Sequence, residues 1–285
     1  MLRLGIDLGG TKTEIIALNE HGHELLRERV QTKSGDYAAT LQTIVSLVAH
    51  AEQTLGERGS VGIGTPGAIS PATGLMRNCN STWLNGQPLL RDLAQHLGRD
   101  VRIENDANCF TLSEATDGAG EGHDVMFGVI LGTGVGGGIA VHGKLLSGPN
   151  RVSGEWGHNP LPWPRDDERP GPLCYCGQHG CIETFLCGPA LTRDHARHNG
   201  VELSAQEIAA AAQRGDAGSK ASMARYEERL ARALAHVINV LDPDAIVLGG
   251  GLSNITRWYE SVPRLWSQWV FSDRVDTPLL RNRHG

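Results

Sequence analysis

Leu4-Gly5-Ile6-Asp7-Leu8-Gly9-Gly10-Thr11-Lys12-Thr13-Glu14-Ile15-Ile16-Ala17-Leu18 reads as two apolar runs joined by a glycine-rich turn, a β-hairpin. Far downstream the pattern returns. Val125 to Leu131 is an apolar strand, Gly132-Thr133-Gly134-Val135-Gly136-Gly137-Gly138 a turn, and Ile139-Ala140-Val141 a returning strand. The same device (strand, glycine turn with threonine, strand) used twice implies an internal duplication and two lobes, 1–115 and 116–285. Glycines at strand ends let backbone N–H groups approach an anion without interference from Cβ, so two such turns suit a polyphosphate gripped from both sides. A tight hairpin is explanation enough for one turn. Two turns, each with a threonine hydroxyl, favour phosphate.

The segments around these hairpins mix strands with helices, which indicates an α/β protein. A strand is expected around Glu24 to Val30. Leu41, Ile44, Val45, Leu47, Val48 and Ala51 fall at helical spacing between Tyr37 and Leu55, and Gly56 closes that helix. Ser60 to Gly64 is a short strand ending in Thr65-Pro66-Gly67, and Pro88 to Leu97 a helix. Val101-Arg102-Ile103 is a strand stopping at Glu104-Asn105-Asp106, with a helix following from Ala107 to about Ala115. From Glu183 onward helices dominate. The clearest runs from Ser219 to Leu241, with Met223, Tyr226, Leu230, Leu234, Val237 and Leu241 on a stripe best explained by core packing. A buried-type strand, Ala245 to Leu248, then leads into Gly249-Gly250-Gly251 and a further helix.

The chain of 285 residues and 30.6 kDa is 40% hydrophobic and 20% charged, with 37 glycines and 13 prolines, a globular and loop-rich profile. A formal charge of -6 and a pI near 6.0 offer no basic field for nucleic acid. No apolar run approaches the ~20 residues that span a bilayer, so no membrane partner is expected. The amino terminus carries one charge before Asp7 and does not resemble a signal peptide. The expected address is cytoplasmic, and clustered thiols in a reducing compartment suggest metal before disulfide.

Neither common nucleotide motif fits. Gly132, Gly134 and Gly137 satisfy G-x-G-x-x-G, but a strand follows where a dinucleotide site needs a helix. Around Gly5 to Thr13 the P-loop spacing fails because Thr11 separates Gly10 from Lys12. At the strand-to-helix corner, Asp106 is placed as a helix cap or as a carboxylate that takes a proton. Cys174, Cys176 and Cys181 lie within eight residues of one another, a density that suits tetrahedral Zn²⁺ with one further ligand. Spacing alone offers His179, Cys187 or His158 as that ligand.

Asp7-Leu8-Gly9-Gly10-Thr11-Lys12-Thr13 resembles the first phosphate loop of actin-like sugar kinases, and more narrowly that of the ROK family (repressors, open reading frames and kinases). Cys174 to Glu183 resembles the family's C-x-C-G-x-x-G-C-x-E, and Glu155-Trp156-Gly157-His158 its E-x-G-H. The resemblance implies an actin-like, ribonuclease H-like ATPase fold, α/β in class, with a duplicated core and a cleft between two lobes. It implies that Gly9, Gly10, Thr11, Lys12, Gly132, Thr133 and Gly134 meet the phosphates of ATP, with Gly249, Gly250 and Gly251 near the adenosine. Asp7 is then assigned to Mg²⁺ through water, because a carboxylate beside polyphosphate needs a hard cation between them. Asp106 is implied as general base for a sugar hydroxyl attacking the γ-phosphate. Gly67, Asn80, Asn105, Glu155, His158 and Glu183 are implied to surround the sugar. His158 is implied as the fourth ligand of a structural zinc held with Cys174, Cys176 and Cys181. Its other ring nitrogen is expected to face the sugar.

The stretches Asn80 to Pro88 and Gly154 to Trp163 resemble the fructokinase branch, so phosphorylation of D-fructose to fructose 6-phosphate is the expected reaction. The alternatives are a glucokinase or a kinase of N-acetylmannosamine or N-acetylglucosamine. A sugar-responsive transcription regulator would need a helix-turn-helix before the first phosphate loop, where only six residues precede Asp7. A catalytically silent sugar-binding protein is disfavoured by Asp7, Asp106 and both glycine turns. The family further implies a homodimer, and a terminal helix beyond His284-Gly285.

Overall fold

The computed structural model describes residues 1–284. It divides into two units, Met1–Cys109 with Gly148–Arg151, and Phe110–Ser147 with Val152 onward.

In the first unit the amino-terminal hairpin forms as expected. β1 (Arg3–Leu8) pairs antiparallel with β2 (Lys12–Leu18), which pairs with β3 (Glu24–Gln31). Leu4, Ile6 and Leu8 alternate inward, the period of a half-buried strand. α1 (Tyr37–Leu55) starts where the Asp36 carboxylate accepts the Ala39 N–H at 2.9 Å and stops at left-handed Gly56. β4 (Ser60–Thr65) and β7 (Val101–Asn105) add in parallel. Between them lie the short pair β5 (Ala68–Ile69) and β6 (Met76–Arg77) and helix α2 (Leu89–Leu97). The sheet order is β3-β2-β1-β4-β7, and Ile6, Ile15, Ile44, Val48, Leu89 and Leu93 are in its apolar core. The chain leaves this unit within α3 (Asp106–Asp117), which runs through the boundary expected at residue 115.

The second unit repeats the plan. β8 (Val125–Leu131), β9 (Val135–Val141) and β10 (Lys144–Leu145) form the antiparallel part. Helices α4 (Glu183–Leu186), α5 (Gly188–Asn199), α6 (Ala205–Gln213) and α7 (Ala217–Leu241) follow. β11 (Ala245–Gly249), α8 (Trp258–Trp266) and β12 (Leu279–Arg281) complete it, with both strands parallel to their neighbours. The order β10-β9-β8-β11-β12 matches the first sheet strand for strand.

Two expectations change. The glycine turn is only Gly132-Thr133-Gly134, while Gly136, Gly137 and Gly138 belong to β9. Gly137 is small because another segment presses on that strand: a Cβ on it would come within 2.7 Å of Trp156 and 2.9 Å of the Gly154 carbonyl. After the triple glycine the chain makes a 3-10 turn, Gly251–Asn254, before α8, and the closing strand β12 carried no sequence signal.

The second unit also buries charge. Arg229 and Arg232 donate to Glu168, and Arg225 and Arg229 to Asp194. Burial opposes ionisation here, yet the guanidinium groups hold both carboxyls below the ordinary carboxylate range. Among the described residues no helix is long and apolar enough to cross a membrane.

Candidate functional site

The residues expected to act fall into two groups, one in each unit. In the first, four residues separate the paired Leu8 and Thr13, and the Gly9 N–H donates to the Lys12 carbonyl at 3.0 Å. Thr32 and Ser34 hydroxyls donate to the Gly9 and Gly10 carbonyls at 2.8 and 2.6 Å, tying the loop to the segment after β3. Thr11 and Lys12 are exposed. Asp7 sits one residue before the loop's first anchor and directly across from Glu14. Burial, and then the Glu14 carboxylate, push the Asp7 carboxyl above its usual value, with Arg29 opposing. Glu14 is itself paired with Arg27 and Arg29, which leaves Asp7 as the carboxylate of this hairpin that would hold the expected Mg²⁺ through water.

The corner from β7 to α3 resolves how the base candidate is held. The helix is capped by Asn105, whose Oδ1 accepts the N–H groups of Ala107 and Asn108 at 2.9 and 3.2 Å. Asp106 is therefore the first helical residue rather than the cap, and its Oδ1 accepts the Ala107 N–H at 2.8 Å. Asn105 Nδ2 donates to the Gly67 carbonyl at 3.2 Å, so much of the amide expected to hold a sugar hydroxyl serves the protein itself. Gly67 has φ 74°, and a Cβ there would lie 2.3 Å from the Arg77 carbonyl, so only glycine fits. Asn80 is exposed, with its Oδ1 3.5 Å from the Ser81 hydroxyl.

In the second unit, three residues separate the paired Leu131 and Val135, and the Gly132 N–H donates to the Gly134 carbonyl at 3.0 Å. The Gly132 carbonyl accepts the Gly188 N–H at 2.7 Å. Gly132, Thr133 and Gly251 line a cavity of about 650 Å³ together with Gly188, Pro189, Arg193, Glu202 and Gln206. Gly249 and Gly250 are not in that wall. Gly249 ends β11 against the Phe110 ring, and Gly250 passes the Leu131 carbonyl, which a Cβ would approach to 2.5 Å. Arg193, Glu202 and Gln206 were not singled out from the sequence, because polar residues on helices and in loops usually mark a solvated face.

His158, Cys174, Cys176 and Cys181 converge, their ligand atoms all within 4.8 Å of one another. Cys176 and Cys181 Sγ are 3.6 Å apart, as are Cys174 Sγ and His158 Nδ1. Ligands 2.0–2.3 Å from a shared tetrahedral centre are about 3.5 Å apart, so three thiols and one imidazole fit zinc. The other candidates drop out: His179 Nδ1 is turned to the Gly171 carbonyl at 3.2 Å, and Cys187 lies outside the group.

The remaining nitrogen of His158 is engaged. Nε2 is 2.9 Å from the Tyr175 hydroxyl, and the two rings meet edge to face at 5.0 Å. The Tyr175 phenol is held well above its ordinary value, first by burial and then by the carboxylates of Glu183 and Glu155. Glu183 Oε2 accepts the Val135 N–H at 2.9 Å, which ties the end of the cysteine segment to the exit of the glycine loop. Glu155 opens the 3-10 turn Trp156–His158, and Trp156 Nε1 donates to the Gly136 carbonyl at 2.9 Å.

Twin sheets with glycine loops at their first hairpins define an actin-like ATPase fold of the sugar kinase type. The chain belongs to the ROK family, whose model it matches over residues 3–284. It is 38% identical over 289 residues to the N-acetyl-D-glucosamine kinase of Haemophilus influenzae (strain 86-028NP), covering 99% of this chain and 94% of that protein. The ROK hexokinase structure from Thermus thermophilus matches with a TM-score of 0.87 at 29% identity, over 100% of this chain and 94% of that one. A ROK family glucokinase from Streptomyces griseus, solved with glucose and AMPPNP, matches at 0.81 and 28% identity, over 100% and 95%.

Proposed function

We propose that the protein phosphorylates N-acetyl-D-glucosamine on its 6-hydroxyl with MgATP. The observation that carries this reading is the 38% identity, over 99% of the chain, to an N-acetyl-D-glucosamine kinase. It favours the N-acetylhexosamine alternative over fructose, which rested on two short stretches of sequence.

In this reading the Asp106 carboxylate takes the proton of the sugar hydroxyl as its oxygen attacks the γ-phosphorus, and ADP leaves. Capping by Asn105 supports this role, because the helix start takes its cap from Asn105 rather than from Asp106. Gly67, Asn80, Asn105, Glu155, His158 and Glu183 surround the sugar. Gly9, Gly10, Thr11 and Lys12 on one side, and Gly132, Thr133 and Gly134 on the other, restrain the phosphates. The cavity behind Gly132 and Gly251 supports an adenosine site there, with Arg193 and Gln206 added to its wall and Gly249 and Gly250 outside it. Asp7 holds Mg²⁺ through water. The zinc set His158, Cys174, Cys176 and Cys181 is filled by protein ligands, which supports a structural metal.

Purified protein with MgATP is expected to release ADP fastest with N-acetyl-D-glucosamine when it is compared with N-acetylmannosamine, glucose and fructose. A higher kcat/KM for fructose would overturn the substrate assignment, and no turnover with any of them would overturn the kinase reading. A homodimer is the expected assembly, to be checked by light scattering.

A further inference from the structure

We propose that Tyr175 is a displaceable placeholder on the sugar site, its phenolic hydroxyl holding the His158 nitrogen that a sugar hydroxyl takes over on binding. The inference rests on the proposed sugar kinase reading and deepens it by naming a residue that sets sugar affinity.

The geometry that points to it is local. The Tyr175 hydroxyl lies 2.9 Å from His158 Nε2, and its ring stands edge-on to the imidazole. The hydroxyl is thus on the one nitrogen of His158 assigned to the sugar. A phenol and a sugar alcohol offer the same group, an O–H that donates once and accepts twice. Tyr175 is 63% exposed, and the ring contact it makes is the edge-on one to His158. Its backbone is pinned instead. Cys174 and Cys176 flank it, the Cys174 N–H donates to the Gln178 carbonyl at 2.8 Å, and the Gly177 N–H to the Cys174 carbonyl at 2.9 Å. Displacement therefore needs only rotation of the side chain, on the fast timescale of exposed rotamers, and leaves the metal cluster undisturbed.

A placeholder competes with the ligand, and this separates it from a residue that merely orients His158. Exchanging one hydrogen bond for another of the same kind gains little, so the bond to Tyr175 subtracts from sugar affinity. An orienting partner of a metal-bound imidazole has the opposite sign, because its loss weakens the site.

The test is sugar binding by calorimetry on zinc-loaded protein without nucleotide, using N-acetyl-D-glucosamine and glucose, for wild type and Tyr175→Phe. The variant is expected to bind sugar about five-fold more tightly, the worth of one net hydrogen bond, with zinc per chain unchanged. Tyr175→Ala, which removes the ring as well, should shift the Kd in the same direction. Unchanged or weaker binding by Tyr175→Phe, with wild type binding normally, overturns the placeholder and leaves the kinase reading standing. Wild type that binds no sugar at all overturns the kinase reading, and the inference with it.

Discussion

The two units share one strand order and differ in what they add to it. In the first, an acidic residue, Asp7, stands one position before the last residue of the opening strand; in the second that position is Ile130. The first unit closes its hairpin with a long third strand, Glu24–Gln31, and relies on an apolar core. The second has a two-residue third strand and then a long loop region carrying the cysteine cluster, backed by buried guanidinium–carboxylate pairs. A duplicated frame, then, leaves one copy to hold the carboxylates proposed to act and the other to hold an irregular insertion. Trp156, Leu161 and Ile182 anchor that insertion in the apolar core, and buried ion pairs to Glu168 add to the fastening.

That contrast can be broken by substitution. Asp106→Asn should lower turnover by about 10²–10⁴-fold while sugar binding and melting temperature stay near wild type; turnover that survives would remove the base from the first unit. Glu168→Gln leaves Arg229 and Arg232 short of their buried partner and should destabilise the second unit by about 3–5 kcal/mol. Denaturant unfolding would read it, and hydrogen exchange in the first unit should not change. Stripping zinc with a chelator should raise exchange around residues 158–181 and spare the sheet of the first unit.

Acid should separate the units more gently. The Glu168 and Asp194 carboxyls are held below their ordinary values, so the stability they contribute is complete above the unfolded-state value. It is lost as pH falls through the depressed one. Melting temperature should therefore decline from about pH 4 downward, with a shallower decline in Glu168→Gln. The smallest effect is expected from Asp36→Ala, which removes the α1 cap and should cost about 1 kcal/mol, confined to the first unit.

Both hairpins were legible because glycine, threonine and alternating apolar residues are local signals. Gly137 misled for the converse reason: its smallness answers Gly154 and Trp156, residues distant in sequence. β12 is three residues long and finds its partner only in the folded sheet, so no periodicity announces it. The thiol triad was visible from spacing, but spacing could not choose between His158 and His179; the fold brings His158 to the thiols and turns His179 toward Gly171. Asn105 and Asp106 were read as a pair with their roles partly exchanged, since which of two neighbours caps a helix depends on backbone angles rather than on composition. Glu168 meets Arg232 across 64 residues, a pairing no local pattern encodes. The move from fructose to an N-acetylhexosamine shows the same limit, since sugar choice hangs on a few hydrogen bonds.

Strand β9 receives both Glu183, on the Val135 amide, and Trp156, on the Gly136 carbonyl. The ribbon that emerges from the second glycine loop is thus the common datum to which the 155–183 insert is aligned. On the proposed sugar assignment, grafting a different preference onto this scaffold would require transplanting the insert and its matching ribbon together. Exchanging one without the other would leave a correctly shaped receptor docked out of alignment.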